Sequence, residues 1–302
     1  MRPFFSVVIP SYNRKHYVQD SINSVLKQSF SKLEIIVIDD GSTDGSYEYL
    51  LEHYKDENRV QIIRQINLER GAARNTGIKA SSGEYIQFLD SDDKLLPEHF
   101  QELHNHILRL QPDFISTKFK FLVGDRLLSS DNCRLNEGYY TYSLFLNGNP
   151  LACNVCIRKD NPKLRFFEED RRYSIKEDWM FFIENLIDQQ IYLVDKVTVH
   201  MLEHDGRSMH GNHQELIKKT LLAAEWIKHR VTLNSNEYKQ LQSHVNYFSA
   251  VHSYIEGNRI EVFSYLWKSV CFHGLRKKHL ILFMKNIPGH SILKQFKEFL
   301  RG

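Results

Sequence analysis

The chain has 302 residues, of which 42% are hydrophobic and 25% charged, so it can form one or two globular domains with a substantial core. Its formal net charge of +3 gives no indication of a nucleic-acid partner. Four cysteines are too few for a disulfide scaffold, which suits a reducing cytoplasm. The N-terminus lacks the apolar run of a signal peptide, and no stretch reaches about 20 apolar residues, so we expect no membrane span.

Strands and helices are predicted to alternate over the first 110 residues. Short apolar runs bounded by turn residues predict strands at Phe5–Pro10, Leu33–Asp39, Val60–Arg64 and Tyr85–Leu89. Amphipathic or small-residue segments predict helices at Tyr17–Gln28, Ser46–Tyr54, Gly71–Ala80 and Pro97 to about Leu110. This alternation predicts an α/β fold in which a mostly parallel sheet is covered on both faces.

The second half of the chain is less regular. It predicts strands at Phe114–Val123 and Tyr192–Met201, and a helix at Asp178–Asp188. Helices are then expected at Gln214–His229, at Ser235–Glu256 and from Ile260 to the end. The change of character near Gly211 predicts an α/β domain over residues 1–211 and a helical region over residues 212–302.

Polar clusters follow three of the predicted strands: Ser11-Tyr12-Asn13, Asp39-Asp40-Gly41 and Asp90-Ser91-Asp92-Asp93. Because ligands of open α/β sheets bind outside the carboxyl ends of the strands, we expect these clusters to line one site. Three carboxylates in four residues repel one another unless a cation or hydrogen-bond donors compensate, and oxygen ligands suit Mg²⁺ or Mn²⁺. The alternative is an Asp-rich turn in which Asp93 caps the next helix.

Other charged residues could take part in the same chemistry. Arg70 and Arg74 lie on a small-residue helix and could approach a diphosphate, although a solvated helix face is the alternative for Arg70 above all. Glu177 and Asp178 precede an apolar helix, where one of them could act as a general base or both could simply complement the helix dipole. His204 could touch a metal or a phosphate, or lie in an exposed loop.

The order of these motifs resembles that of the family 2 glycosyltransferases with the GT-A fold. The matching segments lie within residues 4–210 and are Ser6–Asn13, Ile38–Asp44, Ala73–Gly77, Phe88–Asp93 and Glu177–Trp179. The resemblance implies inverting, metal-dependent transfer of a sugar from a nucleotide diphosphate donor, usually a UDP-sugar, in bacterial cell-surface glycan synthesis. The acceptor would be a hydroxyl of a glycan or of a lipid-linked acceptor. The chain lacks a clear QxxRW-type motif, which argues against a processive polymer synthase.

The resemblance also implies roles for single residues. The donor nucleotide would be bound by Pro10, Tyr12, Asp40, Arg70, Arg74, Asp90 and Ser91, with Tyr12 bordering the base, Asp40 bonding it and Asp90 nearer the ribose. Asp92 and His204 would hold Mn²⁺ or Mg²⁺, while Asp93 would be structural. Asp178 would deprotonate the acceptor hydroxyl, with Glu177 supporting it.

Two other functions fit parts of the pattern. A sugar nucleotidyltransferase shares the α/β layout, but the segment Pro10–Lys15 lacks the glycine-rich loop that such enzymes carry after the first strand. A catalytically silent protein that binds nucleotide sugars is the second alternative, and the retained acidic residues speak against it.

The C-terminal tail differs in charge from the rest of the chain. From Asn258 to Gly302 it holds nine Lys/Arg and two Asp/Glu, interspersed with Trp, Phe and Leu. Amphipathic helices of this kind can lie on an anionic membrane surface. The alternative is packing on the catalytic domain or on a second subunit of a homo-oligomer. We therefore expect a protein of the cytoplasm or of the inner face of the membrane.

Overall fold

The computed structural model describes residues 3–204 and 211–288. Residues 205–210, which directly follow His204, lie outside the described residues, as does the part of the basic tail from residue 289 onward. The chain divides into two compact units. Unit 1 comprises Met1–Tyr142 and Asn149–His204, and unit 2 comprises Ser143–Gly148 and Asp205–Gly302. The predicted boundary near residue 211 stays a prediction.

Unit 1 contains all ten strands of the described residues. They are β1 (Phe5–Ser11), β2 (Leu33–Asp39), β3 (Val60–Arg64), β4 (Tyr85–Phe88), β5 (Asp93–Leu95), β6 (Phe114–Val123), β7 (Arg126–Ser129), β8 (Gly138–Tyr140), β9 (Cys156–Arg158) and β10 (Ile191–Leu202). The six predicted strands are present within one residue of the expected bounds. The four missed strands, β5, β7, β8 and β9, are only three or four residues long and carry little periodic signal.

The strands form one sheet in the order β3-β2-β1-β4-β9-β6-β10-β5, with β7 beside β6 and β8 beside β10. The first four of these are parallel, as predicted, and every residue of β1 is buried, as expected for a central parallel strand. The remainder is mixed, because β9 runs antiparallel to both β4 and β6, and β5 runs antiparallel to β10. The predicted α/β class is confirmed.

Five helices belong to unit 1: α1 (Val18–Leu26), α2 (Ser46–His53), α3 (Glu69–Ala80), α4 (His99–Leu110) and α5 (Glu177–Asn185). The small residues of α3 let its backbone approach β1 closely. A Cβ added to Gly77 would lie 2.2 Å from Cγ1 of Val8, so only glycine fits there without a shift. This close packing sets the position of the arginines on α3 relative to the sheet.

Unit 2 is helical in its described part, with α6 (His213–Arg230), α7 (Ser235–Glu256), α8 (Arg259–His273) and α9 (Lys277–Asn286). α7 has the predicted bounds and begins with a capping box formed by Asn234 and Glu237. Two helices occupy the described part of the segment that was predicted to be helical from Ile260, because Gly274, with a φ of 75°, ends α8 and α9 follows. Within residues 3–204 and 211–288, no helix is both long enough and apolar enough to span a membrane.

Candidate active site

The loops after β1 and β2 are tied together by Asn13. Its backbone N–H donates to Oγ of Ser42 at 2.9 Å, and its side-chain oxygen accepts from the backbone N–H of Thr43 at 2.8 Å. Asn13 adopts a φ of 52°, a left-handed conformation that Asn tolerates better than most residues. The neighbouring Tyr12 is 46% exposed, so its ring is available to a ligand at this edge of the sheet. Pro10 lies within β1, where it aligns with Ile38 of β2.

Asp40, directly after β2, is buried and held in one orientation. Its Oδ1 accepts from Nε2 of Gln65 at 2.7 Å and from the backbone N–H of Leu68 at 2.9 Å. The preceding Asp39 is fully buried, and its Oδ2 accepts from the backbone N–H of Ser42 at 3.2 Å. The two adjacent carboxylates therefore have different environments: Asp39 stabilises the turn, while Asp40 lies against the segment that leads into α3.

Arg74 of α3 joins two acidic groups that are far apart in sequence. Its side chain is almost completely buried, with Nη1 donating to Oε1 of Glu177 and Nη2 to Oδ1 of Asp90, each at 2.8 Å. The guanidinium also lies over the ring of Phe167, 5.3 Å from its centroid. Charge-assisted hydrogen bonds of this length are about twice as strong as neutral ones. Arg74 thus connects the end of β4 to the start of α5.

Asp178 lies in the first turn of α5, next to this ion-paired group. Its Oδ2 accepts from Nδ2 of Asn149 at 3.0 Å, and its Oδ1 accepts from the backbone N–H of Trp179 at 2.7 Å. Burial, followed by the charge of Glu177, raises the pKa of Asp178 to about 6, although Arg74 and Lys176 act in the opposite direction. Burial lowers the pKa of Lys176 to about 8. The site therefore holds a carboxylate that titrates just below neutral pH.

Asp92 and His204 form a second group. Oδ2 of Asp92 lies 2.9 Å from Nε2 of His204, and their side chains are only 14% and 11% exposed. The ring of His204 stacks on Tyr17 with centroids 4.5 Å apart. In the part of the chain that the structure describes, no three His, Cys, Asp or Glu side chains are placed to hold a metal together. The pair can therefore supply two of the ligands that a metal ion would need.

The remaining predicted residues lie near these groups. Nε of the half-exposed Arg70 is 3.9 Å from Oε1 of Glu177, the oxygen that Arg74 also contacts. Ser91 is buried in the turn between Asp90 and Asp92. The alternative that Asp93 caps a helix is wrong: Asp93 begins β5, and its Oδ1 accepts from the backbone N–H of Leu202 in β10 at 3.2 Å.

Backbone strain is concentrated around these groups. Five non-glycine residues of the described chain have positive φ, and four of them adjoin site segments: Asn13, Glu69, Ala152 and Ile175, with φ of 52°, 72°, 51° and 78°. Ile175 is the most unusual, because a β-branched side chain disfavours this conformation, and it directly precedes Lys176 and α5. Such residues tend to cluster at functional sites, where the surrounding structure holds them in place.

Three supporting residues were not predicted from the sequence: Gln65, which orients Asp40; Asn149, which donates to Asp178; and Tyr17, which stacks on His204. Asn149 is followed by Pro150, a turn signal, but nothing local links that turn to α5. Gln65 directly follows a predicted strand, so its place at the sheet edge was available as a signal. Tyr17 had no recognisable signal in the sequence other than its position at the start of a predicted helix.

Comparison with known proteins identifies the family of the chain. A family model described as glycosyl transferase family 2 matches residues 6–152. An uncharacterized glycosyltransferase of Haemophilus influenzae is 31% identical over 188 residues, which cover 61% of this chain and 72% of the relative. The uncharacterized glycosyltransferase EpsJ of Bacillus subtilis is 37% identical over 126 residues, or 42% of this chain and 37% of EpsJ. The chain spans between 16% and 50% of the length of four curated relatives that it matches.

The fold has solved counterparts as well. The structure of S. aureus TarS 1-349 in complex with UDP-GlcNAc superposes with a TM-score of 0.66 at 21% identity, covering 94% of this chain and 84% of that one. At this identity the likeness shows the fold alone. It confirms the predicted GT-A class with a helical C-terminal region.

Proposed function

The chain belongs to the family 2 glycosyltransferases, and on that premise we propose that it transfers a sugar from a nucleotide diphosphate donor to an acceptor hydroxyl with inversion. One observation carries the proposal: the buried ion pairs of Arg74 hold Asp90, at the end of a central strand, together with Glu177, the neighbour of Asp178. A donor-side carboxylate and a candidate base are thereby fixed in one rigid group.

Asp178 is the group that fits the acid–base step. An acceptor hydroxyl is a poor nucleophile at neutral pH and needs a positioned base. A carboxylate with a pKa of about 6 is ionised at pH 7, yet it is more basic than a solvated aspartate. The hydrogen bonds from Asn149 and from the backbone N–H of Trp179 fix its two oxygens in place. A single displacement with inversion needs one such base and no covalent intermediate.

Asp92 and His204 would hold a divalent cation. Their ligand atoms converge to 2.9 Å, and one carboxylate and one imidazole are ligands that Mn²⁺ accepts. Divalent cations at such sites commonly complete their coordination with substrate phosphate oxygens, so a site with few protein ligands fits a diphosphate donor. When bound, the cation stabilises the negative charge that develops on the leaving nucleoside diphosphate.

Tyr12 and Asp40 would bind the nucleoside. The exposed ring of Tyr12 can stack on a base, and the fixed carboxylate of Asp40 can accept from a base N–H. Because TarS was solved with UDP-GlcNAc, a UDP-sugar is the first donor to test. Glu177 and Arg74 would act by holding Asp178 and Asp90. The acceptor would be a glycan or a lipid-linked saccharide.

The test is a panel of UDP-sugars incubated with the full chain, with and without Mn²⁺, with release of UDP as the readout. We expect metal-dependent hydrolysis of at least one donor and faster release when a glycan acceptor is added. Release of pyrophosphate from a nucleoside triphosphate and a sugar phosphate would instead identify a nucleotidyltransferase. Donor binding without turnover for every acceptor tested would favour a silent binding protein.

A further inference from the structure

Helix α8 of unit 2 presents an apolar stripe to solvent. Ile260, Phe263 and Trp267 recur at the spacing of one helix face, and they are 82%, 41% and 71% exposed. The opposite face of α8 is buried through Val262, Leu266 and Ser269. The helix therefore already has its packing face, and the exposed stripe is additional apolar surface that the fold of unit 2 does not use.

Helix α9 continues this surface. Leu280, Phe283 and Met284 are exposed on one face, as is Ile287 directly after the helix, while Leu282 and Asn286 are buried on the other face. The rings of Phe263 and Phe283 meet in an edge-to-face contact with centroids 5.4 Å apart, so the stripes of α8 and α9 are contiguous. We call this surface the apolar patch; it comprises Ile260, Phe263, Trp267, Leu280, Phe283, Met284 and Ile287. Contiguous exposed apolar surface is a mark of an interaction site.

The exposed charged side chains of α8 and α9 are basic. They include Lys268, Lys277 and Lys285. The only acidic residue of α8 and α9 is Glu261, which accepts from Oγ of Ser253 at 3.0 Å. Exposed apolar side chains that include a Trp, together with nearby lysines, are the groups that bind a membrane surface with negatively charged headgroups.

We propose that the apolar patch docks unit 2 on an anionic membrane surface. Trp267 and its apolar neighbours enter the headgroup region, and the three lysines bind the negatively charged lipids. This goes beyond the transfer reaction and does not depend on it. It does bear on the acceptor, because attachment to a bilayer raises the local concentration of a lipid-linked saccharide. A second copy of the chain would cover apolar surface equally well, but the lysines of the two copies would then repel one another.

Flotation of the full chain with vesicles tests the proposal. We expect it to float with phosphatidylglycerol–phosphatidylcholine vesicles and to stay behind with pure phosphatidylcholine, with binding weakened by salt. Trp267→Glu should reduce the bound fraction more than tenfold. Lys277→Glu with Lys285→Glu should lower the vesicle partition coefficient at least about 25-fold, since each lysine contributes roughly fivefold to the affinity. Leu108→Glu is the matched control, because Leu108 is an exposed apolar residue of α4 in unit 1, and its binding should not change.

Tryptophan fluorescence gives a second readout. Trp179 is buried in unit 1, so in a Trp226→Phe background a blue shift on adding anionic vesicles reports on Trp267. Failure to float with anionic vesicles overturns the proposal. A second result would also overturn it: light scattering shows a dimer, Trp267→Glu dissociates that dimer, and vesicles have no effect on it. The apolar patch would then be the interface with a second copy of the chain. UDP release with a water-soluble acceptor should be unchanged in these variants, so failure here leaves the proposed transferase activity standing.

Discussion

Replacing Arg74 by methionine tests the central ion-paired group of unit 1 most directly. Arg74 is 1% exposed, and its two hydrogen bonds of 2.8 Å go to carboxylates, one of which, Glu177, is 2% exposed. Methionine keeps most of the volume of the arginine side chain but removes its positive charge. The carboxylate of Glu177 then stays buried without the cation that paired with it. Breaking a buried ion pair in this way costs about 3–5 kcal/mol. With a urea m value of about 2 kcal/mol/M, the unfolding midpoint of unit 1 should fall by about 2 M.

Trp179 can report this transition specifically. It adjoins Asp178 in α5 and is buried, whereas Trp226 and Trp267 belong to unit 2. In a background with both of those replaced by phenylalanine, tryptophan fluorescence against urea follows unit 1 alone. The change in midpoint on Arg74→Met then measures the cost of losing the buried cation.

Arg70→Met is the matched control. Arg70 has the same side chain on the same helix and approaches the same oxygen of Glu177, but at 3.9 Å and with 36% of its side chain exposed. An exposed pair of this kind contributes less than about 1 kcal/mol. A double variant, Arg74→Met with Glu177→Met, should recover much of the loss, because the fully buried carboxylate of Glu177 is removed together with the cation. A urea midpoint of unfolding for Arg74→Met alone within about 0.5 M of the wild-type midpoint would contradict this prediction. Loss of a desolvated ion pair lowers the free energy of unfolding by more than such a shift indicates.

The remaining predictions concern the chemistry and the packing beneath it. Asp178→Asn should leave donor binding intact and abolish transfer. In the wild type the transfer rate should fall as the pH drops through about 6, because the base becomes protonated there. A transfer rate that is unchanged through that pH would exclude Asp178 as the base. Asp92→Ala should weaken Mn²⁺-dependent donor binding, measured by calorimetry, more than about 100-fold, and unchanged binding would remove Asp92 from the site. Gly77→Ala should destabilise unit 1 by about 1–3 kcal/mol through the clash with Val8. Val8→Ala is itself destabilising because Val8 is buried, but the double variant should lose less stability than the sum of the two single variants. If the two losses add, the clash is not the cause.

Local signals were enough to predict most elements of the fold. The bounds of β2, β3 and α7 agree with the prediction to the residue, because each has a long apolar run or a clear cap. The short strands β5, β7, β8 and β9 were missed, and each of them pairs antiparallel with a neighbour, which makes the sheet mixed. Their three or four residues are selected by the strands beside them, which a local pattern cannot reveal.

The site shows the same limit. The family resemblance assigned Asp90, Arg74 and Glu177 to one site, but it did not predict which of their atoms pair. Arg74 and Glu177 are separated by 103 positions in the sequence, so their contact follows from the close packing of α3 on β1 and from the course of the chain into α5. The family resemblance predicted that Arg74 lies near the base or the diphosphate of the donor nucleotide. In the structure, both of its terminal nitrogens are bonded to carboxylates.

That arrangement gives a physical meaning to the supporting role of Glu177. A bare guanidinium beside Asp178 would hold the pKa of that carboxyl well down and make it a weak base. Glu177 offsets the charge of Arg74, and together with burial it raises the pKa of Asp178 to about 6. A base of this strength is still ionised at neutral pH, and its proton affinity is closer to what proton transfer from a hydroxyl requires. The ion pair thus has two effects: it connects α5 to the end of β4, and its carboxylate limits how far Arg74 lowers the pKa of Asp178, which burial raises.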